Sequence, residues 1–249
     1  MSDFNRGFTS IPAGRADMAV DAGLRSFMLG VYNKVALGLL LSAALAYVTS
    51  AVPAVRDVLF VTTPDGRYAG LTLPGMVLEW SPLIAMLIGM FAMRNPSPRS
   101  AGIFYWGIVS LIGAGLGFIG LIYTGASIAS TFLVTAAAFG ALSLAGYVTK
   151  KDLSAFGSFL MVGLIGLVLA SVVSMFFHSS ALMFAINVLG VFIFAGLIAY
   201  NTQRLKMTYY YLKGDANSLA VQTNIGALNL YLDFINLFMF LLRIFGGRR

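Results

Sequence analysis

Asp233 is the one acid set deep in an apolar segment of this chain, within Gly226-Ala-Leu-Asn-Leu-Tyr-Leu-Asp-Phe-Ile-Asn-Leu-Phe-Met-Phe-Leu-Leu-Arg-Ile-Phe-Gly246. As a helix this stretch is about one bilayer long. An ionised carboxylate at membrane depth costs roughly 2.5–3.5 kcal/mol on insertion scales, so Asp233 is expected to face protein or water and not lipid. Gln222, Gly226, Asn229, Asp233 and Asn236 follow steps of four, three, four and three, which sets them on one helical stripe. Apolar residues (Phe234, Leu237, Phe238, Leu241) cover the other faces. Such a helix reads as the inner member of a bundle. Its carboxylate can meet a cation through oxygen or carry a proton. Asp233 is thus the expected functional centre and a candidate Ca²⁺ contact, with Asn229 and Asn236 as its supporting polar stripe.

Other chemistries fit poorly. An aspartyl hydrolase of the membrane needs two carboxylates sharing a proton, and Glu79 belongs to the opposite end of its segment. A serine hydrolase needs a base, and His178 falls in a short outer loop, where it is expected to be solvated. With no cysteine and one histidine, disulfides and Cys/His zinc sites are excluded. No enzyme activity and no resident cofactor are expected. Gly113-Ala-Gly-Leu-Gly117 mimics a nucleotide loop but sits in an apolar run with no strand before it, so its GxxxG spacing is read as close helix packing. Ser127, Thr131 and Thr135 form a row that lines a path or hydrogen-bonds between helices.

The elements that position these residues are membrane spans. The 249 residues are 59% hydrophobic and 10% charged, with mean hydropathy +0.88, the balance of a polytopic membrane protein. Seven apolar segments are expected, near 28–50, 75–93, 102–123, 128–148, 154–177, 181–200 and 226–245, each close to the ~20 residues needed to span. The fold class is all-α, with seven transmembrane helices and the C-terminal helix central. Residues 1–24 read as a flexible tail and 25–249 as the seven-helix domain. Short loops imply antiparallel neighbours.

The net charge of +7 is spread over loops, which points to the bilayer and not to nucleic acid. Arg6, Arg15, Arg25, Lys34, Arg94, Arg99, Lys150, Lys151, Arg204, Lys206 and Lys213 fall on one side, expected to be cytoplasmic with the N-terminus. Arg56, Arg67, Arg243, Arg248 and Arg249 fall on the other. The last three do not suit seven spans, so the final segment either spans against the rule or is re-entrant. Full spanning is the preferred reading. In the second segment, Pro82 frees a carbonyl, and Glu79 enters the outer part of a helix starting near Gly75. By this topology Arg94, Asn201 and Asp233 share one half of the membrane. Arg94 is then a candidate counter-ion for Asp233 and Asn201 a hydrogen-bond partner: together they make a gating or ion-pathway cluster.

Leu230-Tyr-Leu-Asp-Phe-Ile-Asn-Leu-Phe-Met-Phe-Leu-Leu-Arg-Ile-Phe-Gly246 resembles the final helix of Bax inhibitor-1 family proteins. Leu24-Arg-Ser-Phe-Met-Leu-Gly-Val-Tyr-Asn-Lys-Val-Ala-Leu-Gly38, Lys150-Lys-Asp-Leu-Ser154 and Tyr200-Asn-Thr-Gln-Arg204 add to the likeness, which covers residues 24–246 in the style of bacterial members. The resemblance implies a last helix wrapped by six others and a pH-sensitive calcium leak in the inner membrane. It also implies an aspartate pair shared by the sixth and seventh helices, with an arginine from the second touching the sixth-helix member. Asp233 matches the seventh-helix aspartate and Arg94 the arginine. At the sixth-helix position this chain has Asn201 instead. An amide cannot ionise, so a two-carboxylate sensor cannot form here, and altered gating is expected. Some bacterial relatives imply another role, as interaction proteins that modulate a membrane protease or quality-control machinery. The N-terminal tail is the segment such a partner would grip.

Overall fold

In the computed structural model, residues 13–65, 67–177 and 179–248 are described. Residues 1–12 of the expected tail, His178 and Arg249 lie outside them. Seven helices are long and apolar enough to cross a membrane: α1 (Ala13–Ala51), α3 (Leu73–Ala92), α4 (Pro98–Gly115) continued by α5 (Phe118–Ile122), α6 (Gly125–Val148), α7 (Ser154–Ser174), α8 (Ser180–Leu212) and α9 (Ala216–Phe245). This is the expected all-α polytopic membrane protein. The start of α1 at Ala13 takes half of the expected tail into the first helix.

α9 is the axis. Of the residues in its apolar stretch 67% are buried, against 17–44% in the other six spans. It packs directly on α1, α4, α6 and α8, while α3 lies outside on α4 and α7 outside on α8. Four helices therefore wrap α9 directly and two form an outer layer. Ala227, Leu230, Tyr231 and Leu242 are wholly inaccessible, which explains why this helix carries apolar residues all round except along its stripe.

The α3–α4, α6–α7 and α8–α9 connections lie at the end where α1 begins, here called the N-side. At the far end, a short helix α2 (Pro53–Leu59) and an antiparallel hairpin of β1 (Phe60–Thr62) and β2 (Tyr68–Leu71) join α1 to α3. Thr72 caps α3: its hydroxyl accepts from Gly75 N–H at 3.1 Å. Pro82 sits inside α3. The Leu78 carbonyl that it leaves without an amide accepts instead from the Ser81 hydroxyl at 2.7 Å.

Gly113 of α4 and Gly117, just before α5, pack as their spacing suggests. A Cβ on Gly113 would fall 2.5 Å from Ser42 Cα, and one on Gly117 would strike the Thr49 hydroxyl. Thr49 also donates to the Ala114 carbonyl at 3.0 Å, which locks α1 on α4. Two hydroxyls of the Ser127 row are engaged in hydrogen bonds. Thr135 bonds back to the Thr131 carbonyl at 2.7 Å, and Ser127 accepts from Gly247 N–H at 2.9 Å. With Thr124 N–H donating to the Gly247 carbonyl at 3.0 Å, the C-terminal residues are pinned to the α5–α6 connection at the far end. α9 is thus a full span and not re-entrant, whatever its terminal arginines prefer.

Candidate functional site

α8 and α9 form an antiparallel pair joined by a very short turn. Gly214 at φ +104° takes a conformation that side chains resist. Asp215 opens α9 by accepting from Asn217 N–H at 3.0 Å and Ser218 N–H at 3.1 Å. The Ser218 hydroxyl, which donates to Asp215 at 2.6 Å, and then these N–H groups hold its carboxyl below the usual carboxylate value. Three turns on, Gly226 has no side chain where Leu205 of α8 crosses it, so the backbones approach closely there.

This approach brings Asn201 to Asp233. Asn201 Nδ2 donates to Asp233 Oδ2 at 2.7 Å, within the charge-assisted range. Asp233 is 6% exposed, so the acid is buried against protein. No other side chain among the described residues hydrogen-bonds to its carboxylate. From the N-side a cleft of about 150 Å³ leads toward the pair, lined by Asn201, Arg204, Leu205, Thr208, Gln222, Ile225, Gly226 and Asn229. Asn229 is therefore part of the polar approach. Asn236, one turn beyond Asp233, is not: its amide donates to the Leu232 carbonyl of its own helix at 2.9 Å.

Arg94 does not reach the cluster. It is exposed at the end of α3, and α3 packs on α4 and α2. Arg94 forms no ion pair or hydrogen bond among the described residues, where the one ion pair joins Arg56 to Asp57 at 2.8 Å. The expected counter-ion is thus replaced by a single amide donor. Among the described residues no three His, Cys, Asp or Glu side chains cluster, so a cation at Asp233 would meet one carboxylate and neutral oxygens.

Toward the far end lies a second cavity of about 540 Å³, bounded by α1, α5, α6 and α9 and including Ser42, Phe132, Phe234, Ile235 and Phe238. It shares no lining residue with the N-side cleft. Aromatic rings stand beside it: Phe132 lies 5.4 Å from Phe234, and Phe139, two turns further along α6, lies 5.5 Å from the same ring. A polar cleft thus lies on one side and a mostly apolar cavity on the other, with the buried acid between.

Several polar contacts were not foreseen from sequence. Ser42 of α1 and Tyr231 of α9 share a hydrogen bond of 2.7 Å in the buried core. Their signal was a hydroxyl in each of two otherwise apolar runs, which cannot say who partners whom. The Thr202 hydroxyl, next to Asn201, is buried without a partner among the described residues. The Lys34 ammonium lies 5.9 Å over both the Tyr105 and Trp106 rings.

The fold and the buried pair define a polytopic membrane protein built around one central, acid-bearing helix. The family model described as inhibitor of apoptosis-promoting Bax1 matches residues 24–249. The chain is 68% identical to a Caulobacter vibrioides protein over 250 residues, all of both chains. It is 44% identical to the inner membrane protein YbhL of Escherichia coli K12 over 238 residues, 94% of this chain and 98% of that one. A Rickettsia prowazekii protein is 39% identical over the whole of both chains. The chain belongs to the Bax inhibitor-1 family.

Proposed function

We propose that this chain is an inner-membrane protein, N-terminus in the cytoplasm, that lets cations such as calcium leak passively along α8 and α9 under the control of pH. The observation that carries the reading is the buried Asp233, held by Asn201 at 2.7 Å between a polar cleft and a mostly apolar cavity. The placement in the inner membrane rests on the E. coli relative's name. No catalytic step and no resident cofactor enter the reading.

In this arrangement the amide occupies the carboxylate. An ionised Asp233 is the attractive group for a cation that enters past Asn229; adding a proton removes that charge and weakens the bond from Asn201. Because Asn201 keeps its charge state at every pH, one carboxylate titrates where a pair would otherwise couple, and gating differs accordingly. Arg204, exposed at the cleft's mouth, opposes cation entry and takes part in setting the leak rate. Calcium entry into dye-loaded proteoliposomes tests the proposal: Asp233→Ala should change the flux strongly. Flux unchanged in that variant would remove Asp233 from the path.

A further inference from the structure

The N-side face holds another cavity, which shares Arg204 but no other lining residue with the cleft of the proposed leak path. It measures about 680 Å³ and lies between the α6–α7 loop and α8, with Lys150, Lys151, Asp152, Gln203, Arg204 and Lys206 in its walls. Four cations thus surround it against one acid. Asp152 offsets one of these charges but pairs with none of the four: its carboxylate is turned to the start of α7, where it accepts from Ser154 N–H at 2.8 Å. Hydrogen bonding from Ser154 holds Asp152 below the usual carboxylate value, so it stays ionised and engaged there. None of the four cations pairs with a carboxylate among the described residues.

The walls are built and not loose. Gln203 staples the loop to α8: its Oε1 accepts from Leu153 N–H at 2.8 Å, and its Nε2 donates to the Lys151 carbonyl at 2.8 Å. Lys206 is anchored by donating to the Tyr147 carbonyl at 3.0 Å, with its ammonium 5.3 Å over the Tyr147 ring. Behind them α6 and α7 press on α8 through glycines. A Cβ on Gly146 would fall 2.2 Å from the Ala199 carbonyl oxygen, and one on Gly157 would fall 2.4 Å from the Tyr200 ring. The preference for lysine in loops on one membrane side accounts for the charges. It does not account for a cavity among them, nor for a glutamine spending both ends of its amide on the loop backbone.

A concave site with several uncompensated cations on a fixed backbone concentrates positive potential and suits a compact anion with several oxygens. We propose that this cleft binds an anionic phosphate group. The phosphate belongs to a lipid headgroup of the adjoining leaflet or to a soluble phosphate compound, and Tyr200, Met207 and Tyr211 give the rim the apolar surface that a lipid would also touch.

Thermal unfolding of the full chain in neutral detergent tests this, with phosphatidylglycerol, phosphatidylcholine or sodium tripolyphosphate added at low salt. The unfolding midpoint should rise with phosphatidylglycerol or tripolyphosphate, and the rise should fade as sodium chloride shortens the Debye length below about 10 Å. The double variant Lys150→Gln/Lys151→Gln should lose the rise, Lys150→Arg/Lys151→Arg should keep it, and so should Lys213→Gln, whose lysine lies outside the cleft. A rise with phosphatidylglycerol alone assigns the site to a lipid headgroup; a rise with tripolyphosphate assigns it to a soluble phosphate. No rise, an equal rise with phosphatidylcholine, or a rise that survives in Lys150→Gln/Lys151→Gln overturns the proposal. The unliganded midpoint of each variant shows that it is folded.

Discussion

Replacing Asn201 with leucine removes the one side-chain donor that Asp233 has among the described residues, at 2.7 Å, and leaves a carboxylate that is 6% exposed without a partner. A hydrogen bond to a charged group is worth about 1.5–3 kcal/mol, and a buried acceptor stripped of its donor loses that and more. Asn201→Leu should therefore destabilise the fold by about 1.5–3 kcal/mol. The reverse change is not equivalent. Asp233→Leu removes the buried charge itself, and Asn201, half-buried at the cleft, can turn to water. It should be close to neutral. The double variant should recover most of the loss, because replacing both partners with apolar groups of similar shape leaves nothing buried and unpaired. Reversible unfolding in mixed micelles reads all four proteins of the cycle. If Asn201→Leu lies within about 0.5 kcal/mol of the parent, the usual span for changes without a structural mechanism, or if the double variant is no more stable than Asn201→Leu, then Asn201 does not hold Asp233.

Gly113→Ala should destabilise by about 1–3 kcal/mol, the usual cost of overpacking, because its Cβ would fall 2.5 Å from backbone that cannot give way; an unchanged unfolding midpoint would refute the close α1–α4 approach. Asp215 is held below its usual value, so its support for the start of α9 is present above the unfolded value of about 3.9 and is lost as pH falls through the folded one. Hydrogen-exchange protection at Asn217 and Ser218, taken relative to the intrinsic exchange rate at each pH, should accordingly fall in acid, and Asp215→Asn, which caps without titrating, should flatten that profile. Asn201→Asp sets a second carboxylate against Asp233, so the pair must share protons; the pH profile of calcium flux should change shape, and an unchanged profile would mean that this position does not tune the gate.

The spans were legible because a run of about 20 apolar residues has few other uses. Their ends were less so. α8 runs on to Leu212 and α9 begins at Ala216, well into polar sequence, since tertiary contacts extend both helices: Tyr209 is buried and its ring lies 5.7 Å from Phe27 of α1. Asp233 and its stripe followed from the cost of burying a charge, and Asn201 from the topology. Arg94 misled because topology gives depth but not lateral distance; α3 is an outer helix, so an arginine at the right level sits on the wrong side of α4. Asn236 shares the stripe's period, yet its amide turns to its own backbone, a choice of rotamer that spacing does not encode. The Gln203 staple and the basic cleft depend on two segments fifty residues apart meeting, which nothing local announces.

Calcium entry into dye-loaded proteoliposomes, followed from about pH 5 to pH 8 around the physiological range, compares the parent chain with Asp233→Asn most directly. A gate at Asp233 predicts a pH-dependent flux in the parent that vanishes or becomes independent of pH in the variant. A parent flux whose pH profile is reproduced by Asp233→Asn, or no flux from either folded protein, would contradict it and make the Asn201–Asp233 bond a packing contact.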